Sequence, residues 1–358
     1  MNTQDQDKQV VILAANGQIG IELCMYLQDF ENISLTAIVR TEYAAVLLKK
    51  LNVNCMPGDI SKSRDIQQAI ANADLVFDLA APGRGFINEI KNFYKYRLTQ
   101  VIQYMKHGSS FVFASTQAAF GYKEPLYTKL KYYFFPRSVY AANKRYAEKL
   151  CQKLGKRFGI NVFIFRLGEV HGVIQRCSAG LRNSINNGYT FTVNDTPANA
   201  IFVYEIAQAL VNITKKMESP GLYTMVSNYS WSWSELLAYI ASREKQNVII
   251  NLIEAQQIGP KHYFIFLKNT TFNFLVMRRD TLMANFPGLS TYLPMMKNKI
   301  LSQRVEAEVL KNKLNPENTH LTRFIGVLPG KRMESIPDVK STIGEHERVI
   351  QTKLNNLL

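Results

Sequence analysis

Cysteine is scarce in this 358-residue chain: Cys24, Cys55, Cys151 and Cys177 stand far apart and form no CxxC pair. That spacing argues against a zinc ribbon, a redox dithiol and a disulfide framework, so no metal site is expected and a reducing cytoplasm fits best. Long apolar runs are also missing. Even residues 264–277 are broken by Lys268, Asn269 and Asn273, too soon to cross a bilayer. The opening residues 1–8 are polar, with two aspartates, and lack the basic flank and apolar stretch of a secretory signal. A soluble, cytoplasmic protein is therefore expected. There is no internal repeat, no low-complexity tract and no recognisable nucleic-acid-binding signature.

What the chain has in excess is positive charge, 43 Lys and Arg against 28 Asp and Glu, a formal net of +15. The basic residues are dense over 123–157 and 261–313. Without a nucleic-acid motif, they read as a solvated surface with phosphate-bearing ligands, and no nucleic-acid partner is expected. A peripheral contact with an anionic membrane surface stays open. With 47% hydrophobic residues the chain can fill one large core and carry a smaller lobe.

The first half alternates short β-rich runs, at 9–14, 34–39, 54–57, 75–79, 110–114 and 161–165, with stripes at helical spacing. Two such stripes are Ile19, Leu23, Leu27 and Leu98, Ile102, Met105. This predicts an α/β protein with a doubly wound parallel sheet, whose ligands lie beyond the carboxyl ends of the strands. Residues 1–166 form the expected dinucleotide-binding domain. Residues 167–358 form a smaller substrate-binding lobe and a C-terminal extension, with 200–226 returning to the first domain. Within that return a helix is expected at 204–216 and a strand at 221–226. Ser232 or Ser234 starts a further helix at 233–242, with Glu235 near its amino end.

Where the first strand turns into a helix the sequence reads Ala14-Ala15-Asn16-Gly17-Gln18-Ile19-Gly20. Backbone amides and a helix amino terminus at such a turn can hold a pyrophosphate. A side chain at Gly17 would obstruct it, and Gly20 lets helix and strand approach. A third, earlier glycine is usual, and Ala14 takes its place. The second strand ends in Arg40 rather than the acidic residue that usually holds the adenosine ribose. An arginine there suits a ribose 2′-phosphate, so the reading leans toward NADP over NAD. A plain strand-end charge is the competing reading. Asp59 and Ile60 follow the third strand, where a short acid meets adenine, and the small pair Ala80-Ala81 leaves room after the fourth.

Tyr140 and Lys144 stand four apart on one helical face. The stripe Tyr140, Lys144, Ala147, Cys151, Leu154, Phe158 turns Lys144 inward, while Lys149, Lys153 and Lys156 point elsewhere. A core lysine is costly unless paired. Pairing with Tyr140 and a cofactor ribose makes chemical sense: the ammonium would favour the tyrosinate and bring the phenol's pKa down toward neutral pH, for proton exchange with a substrate hydroxyl. The fifth strand ends in Ser115-Thr116, either of which can hold the substrate oxygen. For one hydroxyl alone, a local loop contact is the commoner role.

Taken together these segments resemble the extended short-chain dehydrogenase/reductases, the NAD-dependent epimerase/dehydratase family, over residues 9 to about 245. The resemblance implies a Rossmann-type fold and assigns Thr116, Tyr140 and Lys144 as the catalytic set. Asn92 becomes the counterpart of the family's structural asparagine, near the cofactor. Residues 166–172, 202–207 and 221–223 resemble later family landmarks. The implied activity is NAD(P)-dependent hydride transfer at a secondary alcohol or ketone, epimerising or reducing a nucleotide-activated sugar, and the implied assembly is a homodimer. Departures from the family pattern are Ala14, Asp78 for a histidine, Val173 for a proline, and Glu169 where many members carry an asparagine near the sugar diphosphate. Gln117-Ala118 replaces the acidic pair of sugar dehydratases, which argues against dehydration. Two alternatives stay open: an NADPH-dependent ketoreductase for a non-sugar substrate, and a non-catalytic cofactor-binding sensor or assembly protein. Residues 261–358 lie beyond the resemblance. Their apolar bulk is expected to pack over the substrate pocket, with a membrane-surface or lipid-carrier contact as the alternative.

Overall fold

The computed structural model describes residues 7–82, 87–120, 139–193, 195–252, 318–321 and 330–357. The apolar and basic segments at 264–277, 278–279 and 297–304 lie outside the described residues, as do 123–138 of the first basic stretch.

Seven strands form one parallel sheet: β1 (Lys8–Leu13), β2 (Ile33–Val39), β3 (Cys55–Pro57), β4 (Leu75–Asp78), β5 (Ser110–Thr116), β6 (Asn161–Leu167) and β10 (Gly221–Met225), in the order β10-β6-β5-β4-β1-β2-β3. The order reverses at β1, whose neighbours are β2 and β4. Such a reversal opens a crevice at the carboxyl ends of the strands.

Strand periodicity decides the two faces. Val10 and Ile12 face one core with Phe77 and Val112; Val11 and Leu13 face the other with Val76, Phe111 and Phe113. The first core is closed by α1 (Gln18–Leu27), α2 (Glu42–Lys50) and α7 (Val203–Thr214), the second by α3 (Arg64–Asn72), α4 (Ile87–Tyr104) and α5 (Val139–Phe158). The expected stripes are the buried ones: Leu23 and Leu27 on α1, Leu98, Ile102 and Met105 on or just after α4.

The smaller lobe pairs β7 (Glu169–His171) with β9 (Ala200–Phe202). Beyond it β8 (Thr190–Val193) lies between β11 (Ile249–Leu252) and β12 (Asn318–Leu321). Its core joins α6 (Arg176–Asn186) and α8 (Trp233–Glu244) through Leu181, Ile185, Trp231, Trp233 and Leu237. The start of α8 carries a capping box, Ser232 accepting from Glu235 N–H and Glu235 accepting from Ser232 N–H.

Residues 330–357 return to the sheet. Lys331 bridges Tyr223 of β10, and Met333 and Ile336 are buried in the first core. Helix α9 (Ile343–Asn355) lies on α1, where Lys353 Nζ donates to Met25 O at 2.7 Å and Asp29 Oδ1 at 2.6 Å. This part of the extension packs on β10 and α1, and through Val339 and Ile343 also on the core of the smaller lobe. A second tie runs from α1 to the lobe: buried Glu22 accepts from Val173 N at 2.9 Å, Ile174 N at 3.1 Å and Gln175 Nε2 at 2.8 Å. No described helix is long and apolar enough to cross a membrane.

Candidate active site

The turn between β1 and α1 is tight. Ala14 adopts φ +57°, the left-handed region that favours glycine, which is the physical reason a glycine is usual there. A Cβ at Gly20 would stand 2.5 Å from Ala15 O, so only glycine lets α1 start this close to β1. Gly17 is the N-cap of α1 and supplies no side-chain cap, leaving the first-turn amides unsatisfied by a local side chain. Gln18 faces the lobe, its carbonyl accepting from Gln175 Nε2 at 3.1 Å, while Ile19 packs against the core.

Beyond this turn opens a cleft of about 620 Å³, bounded by the ends of β1, β2, β3 and β4 and by α4. Ala14, Asn16, Arg40, Asp59, Ile60, Ala80 and Ala81 all line it. Asp59 holds itself in a local turn, accepting from Ser61 N and Ser61 Oγ at 2.8 Å each; these bonds lower its pKa. Arg40 is exposed at the rim. Asn92 is not a lining residue. The face of α4 turned to the cleft carries Phe93, Tyr96, Arg97 and Gln100, spaced by three and four, and Asn92 falls outside that stripe and is exposed. Position along the chain does not determine which face of α4 a residue occupies.

At the end of β5 the structure places the Thr116 hydroxyl beside the Tyr140 phenol, close enough to lower the Tyr140 pKa. Thr116 Oγ1 also accepts from Ala118 N at 3.2 Å. Tyr140, at the start of α5, is 51% exposed. Lys144, one turn on, is only 3% exposed; its Nζ donates to Ala114 O at 2.6 Å and lies 4.7 Å from the Phe113 ring centre. Burial pushes Lys144 down to about 8, and the nearby Asp78 carboxylate opposes that fall. The expected lowering of the Tyr140 pKa is not what this geometry gives. The ammonium donates to Ala114 O and lies 5.9 Å from the Tyr140 ring centre. Partial burial of the phenol raises its pKa, and the neighbouring Thr116 side chain acts the other way.

Three features escaped the motif reading. Glu148, one turn beyond Lys144, is held bidentately by Arg166 of β6, at 2.9 and 2.7 Å, and accepts from Ser115, so Ser115 is committed to structure and Thr116 is the hydroxyl left at the site. Arg97 forms an ion pair with buried Asp78 at the end of β4. Asn143 is buried with neither polar side-chain atom hydrogen-bonded among the described residues. The first two leave a sequence signal in charged residues on otherwise apolar stripes. Asn143 leaves a similar one, an amide between Tyr140 and the next core position.

A parallel sheet reversing at β1, a cleft over the reversal point and a hydroxyl-phenol-lysine group at the end of β5 define a dinucleotide-dependent enzyme fold of the short-chain dehydrogenase type. The family model for the NAD dependent epimerase/dehydratase family matches residues 10–223, more than half the chain, and the chain belongs to that family. Among solved structures, UDP-N-acetylglucosamine 4-epimerase from Bacillus cereus aligns with TM-score 0.54 at 14% identity, covering 70% of this chain and 87% of that one. The enzyme of that name from Methanobrevibacter ruminantium, in complex with UDP-N-acetylmuramic acid, gives 0.52 at 19% identity, over 75% of this chain and 99% of that one. UDP-glucuronic acid 4-epimerase from Bacillus cereus, in complex with NAD, gives 0.51 at 18% identity, over 69% and 88%. At these identities the likeness is one of fold. Comparison with curated protein sequences finds no match.

Proposed function

We propose that this protein is an NAD(P)-dependent oxidoreductase that transfers hydride at a secondary alcohol or ketone of a nucleotide-activated sugar, epimerising it through oxidation and re-reduction. The observation that carries the reading is the placement of the Tyr140 phenol beside the Thr116 hydroxyl at the end of β5, with Lys144 buried one turn further along α5. The donor set of the cleft fits a dinucleotide. Uncapped amides at the start of α1 face where a pyrophosphate would lie, Arg40 and Asp59 flank the adenosine end, and Ala80 and Ala81 leave space. When bound, the nicotinamide supplies the hydride acceptor and donor. Tyr140 then exchanges a proton with the substrate oxygen, Thr116 holds that same oxygen by a hydrogen bond, and Lys144 turns from Ala114 O to the nicotinamide ribose. With Lys144 near 8, the buried ammonium stays mostly protonated at neutral pH and gains from contact with ribose hydroxyls. The structural neighbours that bind UDP-sugars support the substrate class.

A second reading, NADP-dependent reduction of a ketone with cofactor exchange each turn, is favoured by Arg40, a rim guanidinium with no partner among the described residues. Mass spectrometry of the nucleotide released from purified protein tests both. Tightly held NAD supports the epimerase. NADP bound only on addition supports the reductase. A protein that neither carries nor takes up any nicotinamide dinucleotide would overturn the assignment.

A further inference from the structure

Asp78 is 1% exposed at the carboxyl end of β4, where the family pattern described above has a histidine. One carboxylate oxygen accepts from Arg97, 19 residues on, and the other accepts from Ala80 N at 2.9 Å. The same carboxylate is the leading charge acting on buried Lys144, while Glu148 is taken up by Arg166. Arg97 is thus the ion-pair partner of Asp78, while Lys144 Nζ is bonded to the Ala114 carbonyl.

Arg97 is not a closed ion pair. A guanidinium has five N–H donors, and only one Nη atom of Arg97 has a partner among the described residues. Its side chain is 17% exposed and lines the cleft together with Ala14, Asn16 and Ala80. A guanidinium so desolvated, held in one orientation and presenting spare donors to a cavity, is incomplete without an acceptor, and its planar fork of donors matches the oxygens of a phosphate.

We propose that Arg97, positioned by Asp78, binds a phosphate of the dinucleotide common to NAD and NADP, making it a cofactor-binding residue of this chain. The proposal rests on the reading that the cleft holds a dinucleotide. Arg97 thereby differs from Arg40, which stands at the rim at the end of β2 and would act only on a 2′-phosphate.

Titration of the full chain with NADH and with NADPH, followed by nicotinamide fluorescence, tests this. Arg97→Met weakens both by about tenfold or more, and by similar factors. Because that variant strands the Asp78 charge, the double variant Asp78→Leu/Arg97→Met, which removes the pair without leaving a buried ion, is measured beside it with its melting temperature. The double variant is expected to melt near the wild type and still bind both nucleotides weakly. Arg40→Ala weakens NADPH alone. If the folded double variant binds both nucleotides as the wild type does, or if Arg97→Met affects only NADPH, the proposal is overturned while the functional assignment stands. If the wild type binds neither nucleotide, both fall together.

Discussion

A Cβ placed on Gly172 would stand 2.2 Å from Oε1 of Glu22, so the two residues can occupy their places only while position 172 has no side chain. The contact joins the helix that follows the dinucleotide turn to the loop that begins the lobe, because the same carboxylate takes the amides of Val173 and Ile174. Gly172→Ala should displace Glu22 and leave those buried donors unpaired, costing about 2–3 kcal/mol. Urea unfolding of the variant against the wild type checks this. In the Glu22→Ala background, adding Gly172→Ala should cost little more, since the clash has gone.

Burial pushes Glu22 up to about 7 from an ordinary 4.5, against the hydrogen bonds from Gln175, Val173 and Ile174. A carboxyl whose folded pKa is raised stabilises fully below its unfolded value, and that stabilisation is lost as pH rises through the folded one. Relative to Glu22→Gln, the wild type should therefore lose roughly 3 kcal/mol between about pH 4.5 and 7, and nothing further above. Glu205, also raised to about 7 by burial, titrates in both proteins, so the difference between their stability–pH curves isolates Glu22. Parallel curves would refute the assignment.

Ala14 holds φ +57° at the cleft wall. The left-handed backbone costs a residue with Cβ about 1–2 kcal/mol, of which glycine returns part to the unfolded chain as entropy. Ala14→Gly should raise stability by roughly 0.5–1 kcal/mol, read from chemical denaturation, with no change in the described fold.

The sheet was legible because its strands are continuous apolar runs buried on both faces, and the helices between them repeat at three and four, as Leu98, Ile102 and Met105 do. The places of Thr116 at a strand end and Tyr140 at a helix start were legible because their order along the chain matches the strand–helix alternation. Helical phase was harder: Asn92 and Arg97 belong to the same helix, and only the packing of α4 shows that Arg97, not Asn92, faces the cleft. The Lys144 side chain points inward as its stripe requires, but whether its ammonium serves the phenol or a carbonyl depends on a 2.6 Å contact with Ala114 that no spacing encodes. Residues 330–357 show no pattern of their own that indicates a return to β10 and α1. They dock through separate contacts, the Lys331 bridge to Tyr223 and the Lys353 contacts with Met25 and Asp29.

The account turns on Tyr140 as the group that exchanges the proton while hydride moves. The direct measurement is nicotinamide absorbance on mixing cofactor-loaded protein with a panel of UDP-sugars and simple ketones, for the wild type and Tyr140→Phe, alongside nucleotide affinity. Loss of hydride transfer by about 10²–10⁴-fold with nucleotide affinity unchanged is the predicted result. Full turnover in Tyr140→Phe would contradict it.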